Sequence, residues 1–137
     1  MTDLADFLRA RIAERRAIAE AASPWPWKIN PDDPEEVLAG DDILVADVFA
    51  LSSNQTRNTA TFIATNDPAD VIADLDAKLA LLVLHRRVEV RADEFAEIDA
   101  CAACEVTGLQ DQYPCTTLRI LARPFAGHTD YQEDWAA

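Results

Sequence analysis

Cys101, Cys104, Cys115 and His128 are the residues of this chain whose types and spacing suit chemistry. The first two form a Cys-x2-Cys pair, a third thiol follows after 10 residues, and an imidazole after 12 more. Three thiolates and an imidazole are the donors of a closed tetrahedral zinc site, in which the short arm chelates and the long arm completes the cage. Four protein ligands leave no position for water, so such a site is structural. His85 is a second imidazole that suits the fourth place. Two competing readings use the same thiols as small buried apolar residues, with His128 at the surface, or as a reactive cysteine.

Other chemistry finds little support. There is no His-Glu-x-x-His and no Gly-x-Ser-x-Gly. Gly40, Gly108 and Gly127 are the only glycines, so no glycine-rich loop cradles a phosphate. Asp74 and Asp76 stand two apart on an expected helix and point in different directions, so they do not share a cation. An enzyme would need Cys115, or His128 with Asp130, around a metal lacking one ligand. The sequence therefore reads as non-enzymatic.

At 137 residues the chain reads as one domain, with a body over 1–88 and a zinc-binding segment over 89–137. The formal net charge of −13 speaks against a nucleic-acid or anionic-membrane partner, since both require a basic patch. Between Asn30 and Ala50 stand Asp32, Asp33, Glu35, Glu36, Asp41, Asp42 and Asp47, with no base among them. Glu89 to Glu105 adds six acids against Arg91 alone. These charges suit an ordinary solvated surface that binds a protein partner. A sharper alternative is a mimic of DNA that captures a basic protein. No apolar run approaches the roughly 20 residues of a membrane span, and no signal segment is visible, so the expected location is the cytoplasm. A reducing compartment keeps the three thiols unpaired.

The elements that must position these residues follow from periodicity. Leu4, Phe7, Leu8, Ile12, Ile18 and Ala19 keep helical spacing over 3–22, behind Thr2 as N-cap, and Ser23-Pro24-Trp25-Pro26-Trp27 ends the helix. Trp25–Ile29, Glu35–Ala39 and Ile43–Ala50 read as strands of a small antiparallel sheet, with one Trp ring seated on it and the other partly exposed. A polar loop over 51–57 and a short helix over 59–65 follow. Asp67 then caps a helix that begins at Pro68 and carries Val71, Ile72, Leu75, Leu79, Leu82 and Val83 to about His85. Beyond Glu89 the pattern weakens, apart from a short helix over 116–123 closed by Pro124. The expected class is α+β: a small antiparallel sheet against the N-terminal and central helices, with an irregular, metal-stapled C-terminal segment.

The chain resembles a family of small proteins of actinobacteria and their phages, a domain of unknown function. The shared residues are Asp3-Leu4, Phe7-Leu8-Arg9-Ala10-Arg11, the Pro-Trp after the first helix, and Val45-Ala46-Asp47. They continue with Ile63-Ala64-Thr65-Asn66-Asp67-Pro68-Ala69-Asp70-Val71, the Cys-x2-Cys, and Pro114-Cys115-Thr116-Thr117-Leu118-Arg119. Pro124-Phe125-Ala126-Gly127-His128-Thr129-Asp130-Tyr131 and Trp135 close the pattern. The chain departs from it at Asn66, where a histidine is common, and at Thr116 and Thr129, where prolines are common. The resemblance implies that Cys101, Cys104, Cys115 and His128 act together, and it implies phage or mobile-element ancestry; it supplies no activity.

Overall fold

The computed structural model describes residues 2–91, 93–94, 96–106 and 109–137, so Gly108 lies outside the described residues. The fold is α+β, as the sequence indicates. The order is α1 (Leu4–Ala21), β1 (Lys28–Ile29), β2 (Glu36–Leu38), β3 (Leu44–Asp47), α2 (Ser53–Thr65), α3 (Pro68–Leu84), β4 (Arg87–Arg91), β5 (Glu97–Val106), β6 (Leu109–Gln112) and α4 (Thr116–Ala122). Two short 3-10 turns, Arg123–Phe125 and Glu133–Trp135, complete the tail. No helix among the described residues is long and apolar enough to cross a membrane. The chain divides into two compact units, Arg15–Leu75 and Met1–Glu14 with Asp76–Ala137.

In Arg15–Leu75, β1, β2 and β3 form an antiparallel sheet in sequence order. Val37, Val48 and Ala60 make its buried centre, and Trp27, Ile29, Val45, Ala46, Ile63 and Ala64 pack against them. Trp27 thus seats the sheet, while Trp25 remains partly exposed. The expected polar loop over 51–57 is instead mostly the start of α2. Ser52 caps that helix by accepting from Gln55 N at 3.2 Å, and the Thr56 and Thr59 hydroxyls donate to carbonyls four residues back. The Ser52 cap starts this helix and the threonine hydroxyls find acceptors on it, neither of which apolar periodicity detects.

Asp67 does double duty. Its Oδ1 accepts from Asp70 N at 2.9 Å to cap α3, and its Oδ2 accepts from Trp27 N at 3.2 Å. The β2–β3 turn depends on two residues. Asp42 takes the left-handed conformation (φ 63°), which short polar residues tolerate. Gly40 donates its N–H to Pro24 O at 2.8 Å, so close that a Cβ there would lie 2.6 Å from Trp25 O.

The second unit corrects the expectation of an irregular C-terminal segment. β4, β5 and β6 form a second antiparallel sheet, with Arg87 opposite Cys101 and Arg91 opposite Glu97. Val88 and Val90 turn inward between exposed Arg87, Glu89 and Arg91. Such alternation, over five residues and diluted by charge, is too short to stand out by periodicity. Phe7 is the hub of this unit, 2% exposed, with ring contacts to Phe125, His128, Tyr131 and Trp135 at centroid distances of 5.0–6.2 Å.

Gly40→Ala should therefore destabilise by about 1–3 kcal/mol, because backbone rather than a flexible side chain must move. Gly127, with nothing within 4 Å of a built Cβ, serves as the control. Urea unfolding should show a lower midpoint for Gly40→Ala and a near-wild-type midpoint for Gly127→Ala; equal midpoints would refute the packing argument.

Candidate metal centre

The three cysteines are free thiols, delivered by two devices. Cys115 is the residue before α4, in extended conformation, where the chain enters the helix. Cys101 and Cys104 both lie on β5. Residues three apart on a regular strand face opposite sides. Here the register is broken: from Ala100 to Glu105 β5 runs on, while β6 moves only from Gln112 to Gln110. A bulge of this kind re-aims side chains, and it is what brings both sulfurs to one side.

The imidazole that joins them belongs to His85. It sits just past the last turn of α3, where its N–H donates to Leu81 O at 2.9 Å. Two residues later β4 begins, and Ala102 N donates to Arg86 O at 3.0 Å, so the β4–β5 register sets His85 beside Cys101. His85 Nδ1 lies 3.3 Å from Cys101 Sγ, 3.4 Å from Cys104 Sγ and 3.5 Å from Cys115 Sγ. All four donor atoms fall within 4.8 Å of one another.

A tetrahedral zinc with bonds of about 2.3 Å to sulfur and about 2.05 Å to nitrogen separates those atoms by about 3.5 Å. The three nitrogen–sulfur edges thus match a zinc tetrahedron, and the sulfurs lie within 4.8 Å of one another. Their chemistry agrees. One Nδ1 lone pair accepts one hydrogen bond, so it cannot satisfy three thiols, whereas a cation at the centre binds all four atoms. Burial pushes the Cys104 thiol up to about 12, aided by its sulfur neighbours, and burial also raises Cys115. Burial acts on Cys101 in the same direction, but hydrogen bonds from the Ala103 amide and the Cys115 and Cys104 thiols outweigh it and hold Cys101 below the usual thiol range. The cluster thus draws one of its three thiols down and pushes the other two up.

His128, the imidazole singled out by spacing, is placed elsewhere. Arg11 Nη1 lies 2.6 Å from its Nε2 and 2.9 Å from its Nδ1, and Asp130 N donates to Nδ1 at 3.1 Å. Arg11 is 9% exposed, stacks over Phe7 at 5.2 Å and donates from Nη2 to Glu14 Oε1 at 2.6 Å. Arginine carries donors only, so the His128 ring serves as its acceptor and as an edge-on neighbour of Phe7. Linear spacing favoured the imidazole in the tail. The hairpin register that brings in His85 was legible only in the short alternation at 87–91.

A model for a family of unknown function, DUF6221, matches residues 1–137. The chain belongs to this family. No curated protein and no solved structure matches it. Membership in DUF6221 covers the His/Cys cluster and the aromatic hub alike, and it assigns a role to neither.

Beside the cluster, Tyr113 precedes Pro114 and Cys115, and its hydroxyl donates to Asp3 Oδ2 at 2.9 Å. Burial and the Asp3 carboxylate raise its pKa above the ordinary value of 10.0. A raised value means that the fold favours neutral Tyr113. This stabilisation is complete below pH 10 and is lost as pH climbs from there through the folded value. In an alkaline titration read by tyrosinate absorbance, a late phase should be present in the wild type and missing in Tyr113→Phe. A late phase that survives the substitution would assign it elsewhere.

Proposed function

We propose that the chain is a non-enzymatic zinc protein in which His85, Cys101, Cys104 and Cys115 hold one structural zinc, and that it acts by binding another protein. The observation that carries this reading is the convergence of three sulfurs on His85 Nδ1 at 3.3–3.5 Å. Four protein donors complete the tetrahedron and leave no site for an activated water, which speaks against a zinc-dependent hydrolase. The metal would tie the end of α3, the bulge of β5 and the start of α4 together, so its binding energy would count as folding energy.

Ile43, Leu44, Phe49 and Leu51 are exposed and are interleaved with Asp41, Asp42 and Asp47. Mixed apolar and acidic surface suits a partner with apolar and basic groups. A DNA mimic has less support. Asp33 and Asp41 accept from Glu35 N and Ile43 N, Glu36 accepts from Asn30, and Asp42 pairs with Lys28. Much of the acidic stretch therefore builds its own turns. Action in the cytoplasm and phage or mobile-element ancestry complete the proposal; the latter rests on the motif resemblance alone.

Elemental mass spectrometry of the purified protein should find about one zinc per chain. His85→Ala and Cys101→Ser should lose the metal. His128→Ala should keep it while losing about 1–3 kcal/mol, because Arg11 Nη1 loses its nearest acceptor and Phe7 an edge-on neighbour, with only Glu14 and Asp130 left to Arg11. Metal lost from His128→Ala and kept by His85→Ala would overturn the ligand assignment.

A further inference from the structure

We propose that Cys104 is an oxidation site, at which a peroxide opens the centre and releases its zinc. The inference rests on the zinc reading above and assigns that site its regulation. The three sulfurs differ in access. Cys101 is 0% exposed and Cys115 1%, whereas Cys104 is only half-buried, beside exposed Ala103. A small oxidant therefore meets Cys104 first.

The ligand set supplies the nucleophile, since zinc holds its cysteines as thiolates at neutral pH and the thiolate is the form that attacks. It also supplies the resolving group. Cys101 Sγ and Cys115 Sγ lie within 4.8 Å of Cys104 Sγ. Cys101 shares the β5 bulge with Cys104, where the ladder to β6 is already interrupted. Cys101 stays in the β4 ladder opposite Arg87, so the Cys104 end of the bulge, beyond that ladder, is the part that shifts to bring the two sulfurs into bonding distance.

The chemistry balances. Cys104 thiolate attacks one peroxide oxygen, the O–O bond breaks, and Cys104 becomes a sulfenic acid as hydroxide departs. Cys101 thiolate then attacks the Cys104 sulfur, the S–O bond breaks, and a second hydroxide leaves. Solvent protons turn both hydroxides into water. Two thiolates are oxidised to one disulfide, and the peroxide is reduced to water. His85 and Cys115 remain as ligands, too few to keep a structural zinc. The neutral oxidant is also the one this surface admits, because a net charge of −13 repels anionic thiol reagents.

The test treats the zinc-loaded protein with hydrogen peroxide in the presence of a chromogenic zinc chelator. Sulfenic acid is trapped with dimedone, and cysteines are mapped by mass spectrometry. About one zinc per chain should be released as two thiols disappear, with the first dimedone adduct on Cys104 and recovery of the zinc-binding thiols on phosphine reduction. Cys104→His keeps a fourth ligand without the exposed thiol, and its zinc release should be roughly tenfold slower or more. Zinc retained with all thiols intact would overturn the oxidation site and leave the structural centre standing. A first adduct on Cys101 or Cys115 would overturn the assignment to Cys104. A protein that takes up no zinc under reducing conditions would overturn both readings.

Discussion

One imidazole nitrogen faces three sulfurs, and that geometry is the constraint on which the C-terminal half of this protein depends. Three thiolates would repel one another in a buried space, and neutral thiols must take one another's sulfurs as acceptors beside the one imidazole lone pair. The pattern of thiol acidities expresses the same conflict: one sulfur is drawn toward thiolate, and two are pushed away from it. A dication removes the conflict at once. The surrounding structure is consistent with that demand, since an extended residue before a helix, a broken strand register and a helix end each deliver one part of the donor set.

A second knot lies around Phe7. Four rings of the tail surround it, and Arg11 lies over its face while reaching His128. The two histidines thus have separate duties. His85 faces the sulfur cluster, and His128 joins Glu14 in partnering a buried guanidinium. A buried arginine without such a partner is costly, which gives the tail a strong reason to return to α1.

The acidic hairpin shows how charge counts mislead when read alone. Two of its carboxylates, Asp33 and Asp41, accept from backbone N–H groups two residues on and close the turns in which they lie. Acids used in this way are local structure before they are a surface. What remains outward is a mixed apolar and acidic face, a different object from a stripe of phosphates.

By itself the sequence determined the α+β class, the first sheet, the start of α3 at Asp67-Pro68, the short helix read over 116–123, and three cysteines that belong together, which the structure gathers around one imidazole. Those features are local. A proline fixes a helix start, alternation marks a strand, and Cys-x2-Cys brings its own chelate geometry. The tertiary structure alone decided the identity of the fourth donor, because His85 reaches Cys101 through hairpin register while His128 is drawn away by Arg11 and Phe7. It also decided that β4, β5 and β6 form a sheet and that 53–58 is helix. In both places the short-range pattern is weak, and the deciding contacts come from cross-strand pairing, from hydroxyls folded onto their own helix and from burial that no linear spacing records.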